Sequence, residues 1–329
     1  MGAEVRPPHR PVPAAGYAVA LPAIRNDSMR DTPLRDALVF GGTGQIGRAV
    51  LARLPADRWR VTAVSRQKPV DGDGNRADGG IRWLQGELDA PPPLPERVDA
   101  VFSCGPLDGF ARWYADTGLQ AARVVAFGST SVDTKQGSTD PAERDLAGRL
   151  AQAEQRIFDR AVARGTAATV LRPTLVYGVG RDASLTRIAT LARRWGRFPL
   201  PRGASGLRQP VHVDDLAAAA LGCLDRPSTY GRAYALPGGE TLAYRDMVAR
   251  VLAALQPPAK LMELPAPLFH LMLGAARISG RAGGLGAAVA RMRADLVFDA
   301  APAQHDFNYR PRRFQPTAVM FDTLDSGNP

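Results

Sequence analysis

One stretch limits this chain more than any other. Ala37-Leu38-Val39-Phe40 is a short apolar run of the kind that forms a buried parallel strand. It stops at Gly41-Gly42-Thr43-Gly44, and helical apolar spacing resumes through Ile46, Val50, Leu51 and Leu54. Gly42, Gly44 and Gly47 satisfy G-x-G-x-x-G, and Gly41, Gly44 and Gly47 satisfy the related G-x-x-G-x-x-G. Either spacing allows a tight turn, close approach of an anion to bare backbone, and tight packing of helix on strand. The unbonded N–H groups of the new helix would then face a diphosphate. Gly41, Gly42, Thr43, Gly44, Gln45, Ile46 and Gly47 are therefore candidate nucleotide-binding residues. The alternative is a tight strand-to-helix turn with no ligand.

The pattern repeats downstream. Residues 60–64, 81–84, 99–103, 124–127 and 168–171 read as strands, and 141–164 as a long helix. Strands alternating with helices indicate an α/β fold, a Rossmann-type doubly wound parallel sheet, with ligands at the carboxyl ends of the strands. The second strand ends at Ser65-Arg66. An acid that holds the ribose 2′-hydroxyl of NAD normally stands here, about 20 residues beyond the glycines. Without it, and with the planar fork of Arg66, the site favours the 2′-phosphate of NADP(H) over NAD(H); a surface arginine at a strand end is the plainer alternative. Glu87 and Leu88 follow the third strand and Cys104-Gly105-Pro106 the fourth, at the same edge, so they join the cofactor-binding candidates. The fifth strand ends in Ser129-Thr130-Ser131, and the sixth in Arg172-Pro173.

Beyond Pro173 the pattern loosens. Residues 185–195 read as a helix, and 209–215 as a short strand into a helix start where Asp214 or Asp215 can act as cap. A strand near 230–236 and a helix near 244–255 follow. Segments 265–276 and 286–296 read as further helices, and 71–80 as a Gly/Asp-rich loop. The organisation expected is a flexible leader over 1–35, rich in proline and arginine, then a Rossmann core over 36–180. A mainly substrate-binding lobe over 181–329 would return strands near 209–216 and 231–236 to the core.

Composition narrows the partners. The 329 residues carry a formal charge of +10 and 45% hydrophobic residues. The arginines are scattered rather than blocked, which indicates a solvated basic surface and not a nucleic-acid interface. Cys104 and Cys223 stand far apart, so no disulfide framework exists and a reducing, cytoplasmic setting is expected. His9, His212, His270 and His305 give no metal-ligand spacing, and no apolar run approaches a membrane span.

Taken together, Phe40 to Gly47, Leu171-Arg172-Pro173-Thr174-Leu175-Val176-Tyr177-Gly178 and Val211-His212-Val213-Asp214-Asp215-Leu216-Ala217 resemble motifs of the extended and atypical short-chain dehydrogenase/reductase superfamily, the NAD-dependent epimerase/dehydratase group. The resemblance covers about residues 36–322. It implies a nicotinamide dinucleotide, a small-molecule substrate in a C-terminal lobe, and a homodimer through the long helix. It also implies that Pro173 and Leu175 pass the nicotinamide. Catalysis in that group uses Tyr-x-x-x-Lys on the long helix and a hydroxyl after the fifth strand. Aligned on Glu154, those two positions hold Leu146 and Leu150, and no other Tyr-x-x-x-Lys occurs in the chain. Thr130 and Ser131 stand at the hydroxyl position, although capping of the strand end would occupy them equally well. Tyr177 could offer a phenol from the sixth-strand side, and Asp133 and Lys135 could reach the cleft from the turn after the fifth. Two readings follow: an atypical NADP(H)-dependent oxidoreductase or epimerase, or a non-catalytic NAD(P)H-binding redox sensor or accessory subunit.

Overall fold

The structure is a computed structural model that describes residues 33–67, 80–182, 184–265, 267–269 and 291–322. The leader, most of the 71–80 loop and most of the two expected helices between 265 and 296 lie outside the described residues. The elements below belong to one compact unit that begins at Leu34.

Apolar residues run without alternation through the strands because helices cover both sheet faces. β1 (Arg35–Phe40) passes through the glycine turn into α1 (Gln45–Arg53), then β2 (Trp59–Ser65), β3 (Arg82–Gln85) and β4 (Arg97–Ser103). α2 (Leu107–Asp116), β5 (Gln120–Phe127), the single turn α3 (Ser131–Thr134), α4 (Pro141–Arg164) and β6 (Ala167–Pro173) follow. The C-terminal part holds β7 (Val176–Tyr177), α5 (Leu185–Trp195), β8 (Arg197–Pro201), β9 (Leu207–Arg208), β10 (Val211–His212) and α6 (Val213–Gly222). It continues through β11 (Arg232–Leu236), β12 (Leu242–Ala243), α7 (Tyr244–Ala254), β13 (Lys260–Leu264) and α8 (Ala301–Phe307).

The main sheet is seven-stranded in the order β11-β6-β5-β4-β1-β2-β3, and every pairing is parallel. The order reverses direction between β1 and β4, which makes that gap the topological switch point. Side chains alternate between faces. Ala37 and Val39 pack with α1, α6 and α8, while Leu38 and Phe40 pack with α2 and α4. A third apolar cluster unites α5 and α7 with Tyr177, Phe314 and Phe321.

Local chemistry sets the element ends. The Asp140 side chain accepts from the Ala142 N–H, Pro141 opens α4, and Gly165 at φ 64° closes it. Arg123 is buried at 3% exposure, and its guanidinium donates to the Cys223 and Leu224 carbonyls at the end of α6. It also donates to the hydroxyls of Thr169 and Thr229. Burial lowers its pKa, yet these oxygens and the negative helix end give the cation a full set of acceptors.

Two expectations change here. The helix start at 213 is capped by His212, whose Nδ1 accepts from the Asp214 N–H at 3.1 Å, and not by an aspartate. Asp214 instead pairs with Arg53, and Asp215 accepts from the backbone and side chain of Arg312. Secondly, β10 pairs with β7 in a ladder apart from the main sheet, whereas β11 joins that sheet beside β6.

Candidate functional site

The carboxyl ends of β1, β2, β3 and β4 converge on a cleft of about 470 Å³ at the switch point. Its wall includes Gly41, Thr43, Gly44, Ser65, Arg66, Glu87, Leu88, Cys104, Gly105 and Pro106. Ten of the sequence candidates therefore meet in one place.

The glycine turn explains why a side chain is excluded. Gly41 holds φ +74°, a conformation that disfavours any Cβ, and it lies directly against the Cys104 backbone. A Cβ on Gly47 would stand 2.1 Å from the Gly41 carbonyl oxygen, so helix and turn could not close with any larger residue. Gly42 abuts the Trp83 ring of β3, which a Cβ there would meet at 3.0 Å. Gly44 is the N-cap of α1 and supplies no side-chain acceptor, so the first N–H groups of α1 have no capping side chain. Gln45, Ile46 and Gly47 form that first turn behind the cleft wall.

The rim carries the polar chemistry. The Thr43 and Ser65 hydroxyls lie 2.6 Å apart and join the glycine turn to the end of β2. Arg66 follows on the exposed edge, where the Gln85 amide donates to its carbonyl. Burial pushes the Cys104 thiol up to about 12, so it presents a neutral wall and not a thiolate. Asp108, Gly109 and Arg112 from α2, and Arg181 from the turn after β7, also line the cleft. Arg181 Nη1 donates to the Thr43 carbonyl at 2.7 Å across a separation of 138 residues. No short motif marks Arg181; only the closed fold brings it to the glycine turn.

The remaining candidates sit elsewhere. The Thr130 hydroxyl donates to the Pro173 carbonyl at 3.2 Å and is buried, and the Ser131 N–H bonds the Ser129 hydroxyl. Tyr177 is 1% exposed, packed edge-on against His212 and Phe314, and burial raises its phenol to about 12. It is a packing group of the third apolar cluster rather than part of the cleft wall. Pro173 and Leu175 occupy the chain that leaves β6, outside that wall. Asp133 pairs with Arg172, and Lys135 stands 3.7 Å from Glu143. Leu150 is buried in the core between α4 and the sheet, with Leu146 partly buried against it. Glu154, one turn further along α4, is buried and grips Arg172 at the end of β6. Among the described residues no group of His, Cys, Asp and Glu could hold a metal ion. No helix among them is long and apolar enough to cross a membrane.

A parallel sheet in this order, with a glycine turn at its switch point, defines a Rossmann-type architecture. No model of a known protein family matches the chain. A UDP-glucose 4-epimerase from Vibrio cholerae is 24% identical over 186 residues, covering 54% of this chain and 54% of the epimerase. An NAD(P)H azoreductase from Xenophilus azovorans is 25% identical over 226 residues, covering 68% and 75%. The chain thus spans about half the length of the first relative and three quarters of the second. Among solved structures, the UDP-glucuronic acid 4-epimerase from Bacillus cereus in complex with NAD superposes with a TM-score of 0.61. That match has 11% identity over 84% of this chain and 93% of that one. The chain is related, at low identity, to short-chain dehydrogenase/reductase proteins of the epimerase/dehydratase type.

Proposed function

We propose that the cleft binds a nicotinamide dinucleotide, NADP(H) ahead of NAD(H), and that the chain is an atypical oxidoreductase acting on a small molecule. The observation that carries this reading is the meeting of a glycine-rich turn with Ser65 and Arg66, and no carboxylate, at the end of β2. The relatives named for UDP-glucose epimerisation and NAD(P)H azoreduction support the same chemistry. When bound, the nicotinamide supplies or accepts a hydride. The amides at the start of α1 would hold the diphosphate, while Ser65 and Arg66 would hold the 2′-phosphate. Glu87, Leu88 and the Cys104-Gly105-Pro106 turn would flank the adenosine, and Pro173 and Leu175 the nicotinamide. Thr130, fixed by Pro173, and Ser131 would orient a substrate oxygen, with water delivering the proton that a Tyr-Lys pair delivers elsewhere. A homodimer through α4 completes this reading. The free thiols of Cys104 and Cys223 fit a reducing compartment such as the cytoplasm.

A second reading has its own observation. Leu146 and Leu150 present hydrocarbon where the proton relay would stand, and Leu150 is part of the core. On that reading the protein binds the dinucleotide without turnover, as a redox sensor or accessory subunit.

Calorimetric titration of the full chain tests the shared claim: NADPH should bind more tightly than NADH. Arg66→Glu should weaken NADPH at least about tenfold, the scale of a lost charge-assisted hydrogen bond, with little change for NADH. Equal losses would refute the 2′-phosphate assignment. NADPH oxidation across a panel of carbonyl and azo compounds then separates the two readings, and silence throughout favours the sensor.

A further inference from the structure

The cleft has a cation from a distant point in the sequence that the dinucleotide reading does not use. Arg181 lies on the turn between β7 and α5, beyond the last strand of the amino-terminal half, yet its guanidinium lines the same cleft as Gly41 and Gly44. Its bond to the Thr43 carbonyl is a bond to a neutral acceptor. A guanidinium held that way gains when an anion replaces the carbonyl, because the contact then joins two opposite charges and the planar fork can make it bidentate. The side chain is otherwise solvent-facing, so the exchange disturbs no buried contact.

The turn itself is braced. The Asp182 carboxylate, next in sequence, accepts from the N–H groups of Ser184, Leu185 and Thr186 and from the Thr186 hydroxyl at the start of α5. The Gly180 N–H bonds the Met320 carbonyl. Arg181 therefore projects from a backbone fixed on both sides. Its exposed side chain can turn from the Thr43 carbonyl toward the glycine turn without moving that backbone.

We infer that Arg181 is a binding residue for the diphosphate bridge of the dinucleotide, closing over it from the C-terminal part opposite the amides of α1. This rests on the dinucleotide reading above and adds a cation that the glycine motif does not contain. It also makes the diphosphate the tie between the glycine turn and the start of α5.

The full chain, its Arg181→Gln variant and its Arg181→Lys variant are titrated with NADPH, ADP and adenosine 2′-monophosphate. Glutamine removes the charge but also shortens the side chain, so Arg181→Lys, which keeps a charge at nearly full reach, separates the two effects. Arg181→Gln should weaken NADPH and ADP about tenfold and leave adenosine 2′-monophosphate, which lacks the diphosphate, unchanged; Arg181→Lys should recover part of the loss. Equal weakening of all three probes would assign Arg181 a purely structural role and overturn the inference, as would unchanged ADP binding or an absence of rescue by lysine. Wild-type protein that binds none of the probes would refute the dinucleotide reading and this inference with it. Wild-type binding that survives Arg181→Gln would refute the inference alone.

Discussion

Gly47 shows how much one missing carbon can decide. Its α-hydrogen faces the Gly41 carbonyl, and a methyl there would overlap that oxygen at 2.1 Å. Gly47→Ala must therefore push α1 away from the turn. We expect a loss of about 1–3 kcal/mol in chemical denaturation, the usual range for overpacking, together with loss of NADPH binding by calorimetry. Retained stability and affinity would show that the turn is looser than described. This residue was legible in the sequence because its role depends on local spacing alone. Arg181 was not legible, because its role depends on a partner 138 residues away. Thr130 and Tyr177 lie between these cases. Their positions in the chain were readable, but their surroundings were not: one hydroxyl is tied to the Pro173 carbonyl, and the phenol is enclosed by His212 and Phe314.

The helix that begins at Val213 shows what is legible in an element and what is not. Its position followed from sequence, as did the bounds of α4 and α5, where periodicity and end signals agree. Its cap did not. Two adjacent aspartates carry the usual capping signal, yet the imidazole of His212 takes the site and the aspartates turn to arginines 53 and 312. The short α2 and α8 were not read from the sequence at all. The cap has a pH consequence. Burial first, and then the Arg312 charge, hold the His212 pKa below its usual value, and the capping Nδ1 must be unprotonated to accept. A group with a depressed folded-state pKa of this kind stabilises the fold above its unfolded value of about 6.5 and loses that contribution as pH falls. Thermal unfolding should therefore show stability declining below about pH 6.5, with a shallower decline in His212→Asn, whose amide oxygen can cap without titrating. An unchanged slope would exclude the imidazole as its origin.

At the scale of the molecule, the parallel character of the main sheet was legible from alternation, while its strand order and the partner of Val211–His212 were not. A run that short pairs wherever the tertiary structure brings a neighbour, here Val176–Tyr177. Leu146 and Leu150, which on the proposed reading take the positions of a proton relay, lie on one face of α4 and help to seal it to the sheet. Leu146→Tyr with Leu150→Lys should therefore cost stability, about 1–3 kcal/mol for placing an ammonium group against the core. In exchange it should give measurable NADPH oxidation with a carbonyl substrate. Stability loss without any turnover would mean that no substrate reaches that face of α4.

The indole of Trp83 against Gly42 has a practical consequence. On the reading that this turn holds the diphosphate, the emission of a chromophore packed against it would respond to what settles there. Light absorbed by Trp83 would then be passed to a reduced nicotinamide or quenched by a rearranged loop, and occupancy of the cleft would be readable without any added label.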